Sequence, residues 1–398
     1  MPTQSTSHSA PAVVINMDCF TGLQSIRILA QRGVPIIGVA KDAAHYCSRT
    51  NFCKQKTYVD TMTTALIDKL VEMGPTLPEK GVLFPCADTS VLLISEYRER
   101  LDPWYHIALP DHDSVATLMD KQSFIEYGLE QNLPIPQVFF LRSRSDAEEA
   151  ADKIRYPCIM KPTLKSKRWE ENAKYKAYTV NDAAELLRTY DEHASLTDVL
   201  MVQRFVHGSE DAQYTCNCYF GRDGQPLVSF VSRKLRQWPH RTGTASLSVA
   251  CRNTEVEHAT LNLFSKANYR GLGYLEVKQD AEDGKYYIIE PNIGRPTGRS
   301  ALAEASGVEL LYSMYCELTG APLPENRTQD DSTIKWIYFR RDLQSAVKYW
   351  RNGELTLRQW CQSLRGRKVD ALFHLKDLRP FLGDWWRAFK NAVLGKRR

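Results

Sequence analysis

Residues 274–280 (YLEVKQD) and 285–292 (KYYIIEPN), joined by Ala281-Glu282-Asp283-Gly284, decide how the chain is read. Both are rich in aromatic and β-branched residues, and Asp-Gly is a strong hairpin signal, so two antiparallel strands are predicted. A three-residue loop, Glu282 to Gly284, pairs Ala281 with Lys285 and sets Glu276 directly opposite Glu290. Like charges facing each other at roughly 5 Å destabilise a sheet unless something positive lies between them. Asn292, two residues past Glu290, points to the same face of an extended strand. Two carboxylates and an amide oxygen form a hard oxygen cluster suited to Mg²⁺ that also holds a phosphate. A solvated hairpin with charged tips explains the same residues, so the choice rests on the remainder of the chain.

At 398 residues, 43% hydrophobic and 25% charged, the chain reads as an ordinary soluble protein of about two or three domains. No stretch approaches the ~20 apolar residues of a membrane span. The opening MPTQSTSHSAP lacks the basic and apolar regions of a signal peptide and predicts a disordered tail over 1–11. Ten cysteines without compact spacing predict reduced thiols and a cytoplasmic location. Cys216-Asn217-Cys218 would share a strand face, with no partner at zinc spacing, so buried structural thiols are expected. Residues 331–398 carry 16 Lys/Arg against 6 Asp/Glu, so the basic pI belongs to the C-terminal end and argues for no nucleic-acid partner.

Residues 12–115 alternate between strands (12–17, 35–40, 81–85) and helices (22–31, 63–73, 89–101), the pattern of a Rossmann-like parallel sheet in an α/β layout. The GxGxxG fingerprint is missing, which argues against a dinucleotide site. Residues 116–330 read as α+β. Helices are predicted over 121–131, 181–190 (capped by Asn181) and 254–268, and over 300–319 with an interruption near Gly307. Strands are predicted over 156–161, 199–206 and 214–234, the last as a pair around Gly221-Arg222-Asp223-Gly224. Residues 233–246 (RKLRQWPHRTGTAS) read as a basic loop.

Lys121 begins a helix, Lys161 ends a strand, and Lys234 and Arg236 start the basic loop. Each alone is most often a surface charge. Together with the carboxylate pair they supply what a nucleoside triphosphate needs: cations for the phosphates and carboxylates for the bridging metal. The apolar strand 199–206 could face a purine, with Glu210 and Asp211 near a ribose. Without GxxxxGK[ST], the site is not a P-loop.

In these residues the chain resembles the ATP-grasp superfamily, in particular predicted carboxylate–amine ligases related to D-aspartate ligase. The resemblance covers about residues 12–325. It runs through Met119-Asp120-Lys121, Pro134-x-Pro136, Pro157-x-x-Met160-Lys161-Pro162, Val202-Gln203-x-Phe205-Val206-x-Gly208, Arg233-Lys234-x-Arg236, Glu276 and Glu290-x-Asn292. Pro85-x-x-Asp88 is similar to the domain preceding the ATP-grasp unit. The implied fold is a pre-ATP-grasp parallel sheet (12–115), then two α+β subdomains (116–200 and 201–330) that sandwich ATP.

The resemblance also implies roles. Lys121 and Lys161 would reach the phosphates and the adenine edge, and Gln203, Arg204, Phe205 and Val206 would form the strand whose backbone bonds adenine. Glu210, or Asp211, would take the ribose. Glu276, Glu290 and Asn292 would hold Mg²⁺, with Mn²⁺ as the alternative ion. Arg295, with Arg299 as an adjacent candidate, would stabilise the transferring phosphoryl group. Lys234 and Arg236 would act from a loop, with 240–244, that closes over a small-molecule carboxylate and amine. The implied reaction forms an amide through an acyl phosphate, releasing ADP and phosphate, on an amino acid and a cell-envelope or polysaccharide precursor. A non-catalytic nucleotide-binding protein and an ATP-grasp phosphotransferase are the other readings. Two positions depart from the pattern. Arg204 follows Gln203 where an acidic residue is usual, and Arg295 stands one residue further from Asn292 than in the Asn-x-Arg form.

Beyond Ser332 the sequence predicts a strand at IKWIYF, a helix from Asp342, and a terminal amphipathic helix over 384–398. Leu382, Trp385, Trp386, Phe389 and Val393 fall on one stripe, edged by Arg387, Lys390, Lys396, Arg397 and Arg398. Such a helix either lies on an anionic membrane at the cytoplasmic face or packs on the enzyme's own core or on a second subunit of a homodimer.

Overall fold

Short apolar segments with turns between them build the first sheet, because strands covered on both faces need no polar alternation. In this computed structural model, which describes residues 9–163, 167–175, 177–240 and 243–394, five parallel strands stand in the order β3-β2-β1-β4-β5. They are β1 (Ala12–Ile15), β2 (Ile36–Ala40), β3 (Gln55–Tyr58), β4 (Gly81–Pro85) and β5 (Tyr105–His106). Apolar runs announced β1, β2 and β4. The sheet edges β3 and β5 carry Gln55, Lys56 and His106, so no apolar pattern marked them. The helix expected over 89–101 breaks at Tyr97 into Asp88–Glu96 and Arg98–Leu101. Ala10 and Pro11, expected within the tail, are buried, and the Tyr315 hydroxyl donates to the Ala10 carbonyl at 2.7 Å. Residues 1–8 of that tail lie outside the described residues.

The second sheet is antiparallel, in the order β6-β9-β7-β8, from β6 (Val138–Leu141), β7 (Cys158–Pro162), β8 (Tyr178–Val180) and β9 (Leu200–Arg204). It has its own core, in which Leu141, Met160 and Val202 pack on the helices Arg144–Lys153 and Ala183–His193. Asp182, not Asn181, caps the latter helix by accepting from the Glu185 N–H. Asn181 instead donates to the Glu185 carboxylate from its backbone and side chain, at 2.9 Å each.

Seven strands form the third sheet, in the order β14-β13-β10-β11-β12-β15-β16. They are β10 (Gln213–Phe220), β11 (Pro226–Trp238), β12 (Thr244–Ala250), β13 (Gly271–Gln279), β14 (Tyr286–Ile293), β15 (Lys335–Ile337) and β16 (Lys368–Asp370). The basic loop expected over 233–246 is therefore mostly strand. β11 continues through Lys234 and Arg236 to Trp238 with bulges at both residues, and Thr244 already pairs with Trp238. Of that segment, Arg241 and Thr242 lie outside the described residues. Lys234 and Arg236 occupy buried positions at this end of β11, so the hydrophobic alternation that signals a strand is absent there.

The C-terminal residues are built into the molecule. β15 pairs with β12, and β16 pairs with β15. Two fully buried aspartates of this segment accept arginines from elsewhere. Asp377 binds Arg27 of the first helix, Phe20–Gln31, and Asp342 binds Arg236, each at 2.9 Å. Among the described residues, no helix is long and apolar enough to cross a membrane. Asp342 also accepts from the Trp360 Nε1–H at 2.9 Å. Asp342→Ala leaves the buried Arg236 guanidinium uncompensated, which costs roughly 3–5 kcal/mol. A marked drop in the urea unfolding midpoint is expected, whereas an unchanged midpoint contradicts this role.

Candidate active site

Glu276 pairs with Glu290, and Tyr274 pairs with Asn292. The register matches the one read from the sequence, but the route to it differs. The loop has four residues: Asp280, not Ala281, meets Lys285, with its N–H donating to the Lys285 carbonyl at 2.8 Å. A bulge at Ile289, between the Val277–Ile288 and Glu276–Glu290 pairs, then restores the carboxylates to opposition.

Period-two alternation collects the polar residues of these strands on one face. Thr215 stands beside Glu276 on one side and Ser232 on the other, and Asn217 stands beside Tyr274. Cys216, Leu275 and Val277 point the opposite way, into the core that includes Val256 and Leu263 of the helix Thr254–Lys266. One face of β10–β14 is thus a polar floor, and the other is packing.

A cavity of about 560 Å³ lies at the β14 edge of this floor, lined by Lys121, Gln203, Glu290, Asn292 and Arg295 together with Asp88. Lys121 is the first residue of the helix Lys121–Glu130, and Asp120 caps it. Lys161 reaches in from β7 and donates to the Gln203 amide oxygen at 3.3 Å. Burial, and then the neighbouring Lys121 ammonium, hold the Lys161 pKa down at about 7. Burial likewise lowers Lys234, although Glu276 and Glu210 favour its charge, and its ammonium donates to the side-chain oxygens of Gln213 and Gln237. Glu290 sits in the cleft flanked by protein; burial and the facing Glu276 raise its pKa, against the pull of Lys121 and Arg295.

Arg295 is gripped from three sides. It donates to the Tyr274 hydroxyl and the Asn292 Oδ1, each at 2.6 Å, and to the Asp88 carboxylate. Burial works against its charge, but Tyr274 and Asp88 hold its pKa above the ordinary value. Gly294, at φ 68°, makes the turn that brings Arg295 back onto Asn292. A Cβ at Gly294 would lie 2.3 Å from a Leu109 methyl, so the extra residue between Asn292 and Arg295 requires glycine. Arg299 donates to the Thr215 hydroxyl at 2.7 Å and lies 3.9 Å from Glu276.

Several expected residues fall elsewhere. Arg236 is not free to hold a substrate: Nε and Nη2 donate to the two carboxylate oxygens of Asp342 at 2.9 Å each, and Nη1 donates to Ser363 Oγ at 2.8 Å. The Arg204 side chain leaves the cavity for Asp280 and Tyr287 at 2.8 and 2.9 Å, and its N–H donates to the Gln137 carbonyl. Phe205 donates its N–H to the Pro157 carbonyl. Phe205 and Glu210 line a second cleft with Lys278, whose ammonium donates to the Val206 carbonyl at 2.8 Å. His207 lies 3.3 Å from Glu282 and His240 2.8 Å from Glu354, away from the carboxylate pair. Sequence reasoning missed Tyr274 and Thr215. The signal for Tyr274 was available, since it is two residues before Glu276 on the same strand.

The donor set fits a divalent cation: two facing carboxylates, one with a raised pKa, and an amide oxygen beside them. Among the described residues no three His, Cys, Asp or Glu side chains converge as a metal cluster, so remaining ligands would come from phosphate oxygens or water.

A three-sheet chain with this cleft has the ATP-grasp fold, which its solved structural neighbours share. It is similar to D-aspartate ligase of Enterococcus faecium, 22% identical over 259 residues, which are 63% of this chain and 60% of that protein. The chain spans between 54% and 60% of the length of the first curated relatives it matches. Among solved structures, N5-carboxyaminoimidazole synthetase from Staphylococcus aureus complexed with ADP superposes with TM-score 0.62 at 12% identity, over 81% of this chain and 80% of that one. Phosphoribosylglycinamide synthetase from Anaerococcus prevotii gives TM-score 0.62 at 15% identity, over 82% and 79%. No protein-family model matches the chain.

The lowered Lys161 pKa makes a signed prediction. With a pKa of about 7, Lys161 is mostly neutral at pH 8 in the free protein. A bound phosphate favours its charged form, so nucleotide binding at that pH takes up a proton. Titration calorimetry in buffers of different ionisation enthalpy should show uptake that Lys161→Met removes. Uptake that persists in the variant contradicts the assignment.

Proposed function

We propose that the protein is an ATP- and Mg²⁺-dependent carboxylate–amine ligase that forms an amide bond and releases ADP and phosphate. The observation that carries this reading is the Glu276–Glu290 pair, set on a polar floor between Lys161 of the second sheet and Lys234 of the third. The similarity to D-aspartate ligase and the ADP complex of a structural neighbour support it.

In this reading the purine lies along the backbone of Gln203–Val206. Glu210, close enough from the second cleft to favour the charge of Lys234, bonds the ribose, and Lys121, Lys161 and Lys234 neutralise the phosphates. Glu276, Glu290 and Asn292 would hold Mg²⁺, which would offset phosphate charge. A substrate carboxylate oxygen attacks the γ-phosphorus as the bond to the β-phosphate oxygen breaks, giving an acyl phosphate and ADP. Arg295 and Arg299 lie where charge builds on the transferring group. The amine nitrogen then attacks the acyl carbon, phosphate leaves with its oxygen, and the amine proton passes to water or a carboxylate. The cleft supplies position and charge; no protein nucleophile is required.

Two other readings differ in what they release. A non-catalytic nucleotide-binding protein releases no ADP, and a phosphotransferase releases ADP without amide. ADP release should be screened over amino acids, each paired with amine or carboxylate acceptors, with mass spectrometry of the product. The expected result is ADP and an amide in equal amounts, and Glu290→Gln is expected to lower turnover by at least about a hundredfold. Undiminished turnover in that variant contradicts the metal assignment, and ADP without amide contradicts ligation.

A further inference from the structure

The terminal helix Arg379–Val393 removes one of the three alternatives left by its sequence, packing of the whole stripe on the protein's own core. Its inner side is tied down. Asp384 is buried against Arg340, with N–O contacts of 2.6 and 2.8 Å, and half-buried Trp385 packs beside Phe339 and Phe381. A Cβ on Gly383 would stand 2.6 Å from the Tyr46 Cβ, so the helix lies close against the short helical turn Tyr46–Arg49 between β2 and β3. Trp385 therefore does not share the stripe assigned to it. The other members do, and they face outward: Leu382, Trp386, Phe389 and Val393 are 60%, 61%, 59% and 67% exposed. Trp386 and Phe389 stack on each other at 5.9 Å. The enzyme's own core is thus not what covers this face.

Charge identifies what does. Lys376, Arg379, Arg387 and Lys390 are exposed along the helix and the residues leading into it. The acidic residues of the same stretch, Asp377 and Asp384, are both buried and paired with Arg27 and Arg340. Arg49 and Lys56 add to the same sign where they line a groove beside Leu382 and Trp386. Lys396, Arg397 and Arg398 follow in the sequence but lie outside the described residues. The exposed charge is of one sign, edging a convex stripe of two aromatic and two aliphatic side chains. Acyl chains and anionic headgroups meet those two features together, and aromatic rings favour that interface.

We infer that the helix Arg379–Val393 docks the protein on anionic lipid bilayers, with Leu382, Trp386, Phe389 and Val393 inserted and Arg379, Arg387 and Lys390 at the headgroups. The inference does not depend on the ligase reading, and its test uses no substrate.

The full chain is sedimented with phosphatidylcholine vesicles containing about a third phosphatidylglycerol, and with phosphatidylcholine vesicles alone. Binding is expected to the mixed vesicles and to weaken as salt is raised. Trp386→Ser/Phe389→Ser and Arg387→Glu/Lys390→Glu should each lower the bound fraction about tenfold or more. Every substituted side chain is exposed, so the melting midpoint should not move. Wild-type protein that stays in the supernatant overturns the inference, and so does equal pelleting of both double variants. A wild-type dimer that Trp386→Ser/Phe389→Ser dissolves without vesicles also overturns it, because the stripe would then be a contact between copies.

Discussion

Two carboxylates forced into opposition across β13 and β14 are the constraint on which the remainder of the site depends. Facing like charges cost a sheet up to about 1 kcal/mol even at a solvated surface. Here the pair is answered by cations from separate parts of the fold. Lys234 comes from β11 and Arg299 from the segment leading into the helix Ser300–Ala305. Lys121 comes from the head of its helix, and Arg295 from the turn after β14. Hydrogen bonds to Gln213, Thr215, Tyr274 and Asp88 hold three of these four side chains. The charges are therefore prearranged before any ligand enters, the condition under which electrostatic stabilisation of a transition state is large.

Arg204 shows how a departure from a family pattern can be structural rather than chemical. Its guanidinium turns from the cavity, meets the fully buried Asp280 and lies 5.2 Å from the centre of the Tyr287 ring. β9 of the second sheet is thereby joined to the hairpin that carries Glu290. Gln203, the residue before Arg204, keeps its side chain on the Lys161 side.

What could be read from the sequence follows from how local each signal is. The apolar runs of β1, β2 and β4 and the Asp-Gly turn act within a few residues and were legible, whereas the cap read at Asn181 belongs to its neighbour Asp182. Long-range compensation was not. Arg236 looked like a substrate-binding residue because its partner, Asp342, lies over a hundred positions away. The end of β11, from Arg233 onward, looked like a loop because its buried positions Lys234 and Arg236 are charged and satisfied only after folding. The register of the carboxylates emerged correctly although the assumed loop was one residue short, because the Ile289 bulge makes up the difference. The exposed stripe of the terminal helix was legible as a stripe, but which of its aromatic residues packs inward required the neighbours Phe339 and Phe381.

The central claim is that Glu276 and Glu290 together hold the divalent cation that accompanies the nucleotide. Its most direct measurement is Mn²⁺ binding in the presence of ADP, followed through the paramagnetic resonance of free Mn²⁺. Wild-type protein should retain the ion, and Glu276→Gln and Glu290→Gln should each weaken retention by about tenfold or more while the fold stays intact. Retention that is equal in all three proteins contradicts the account.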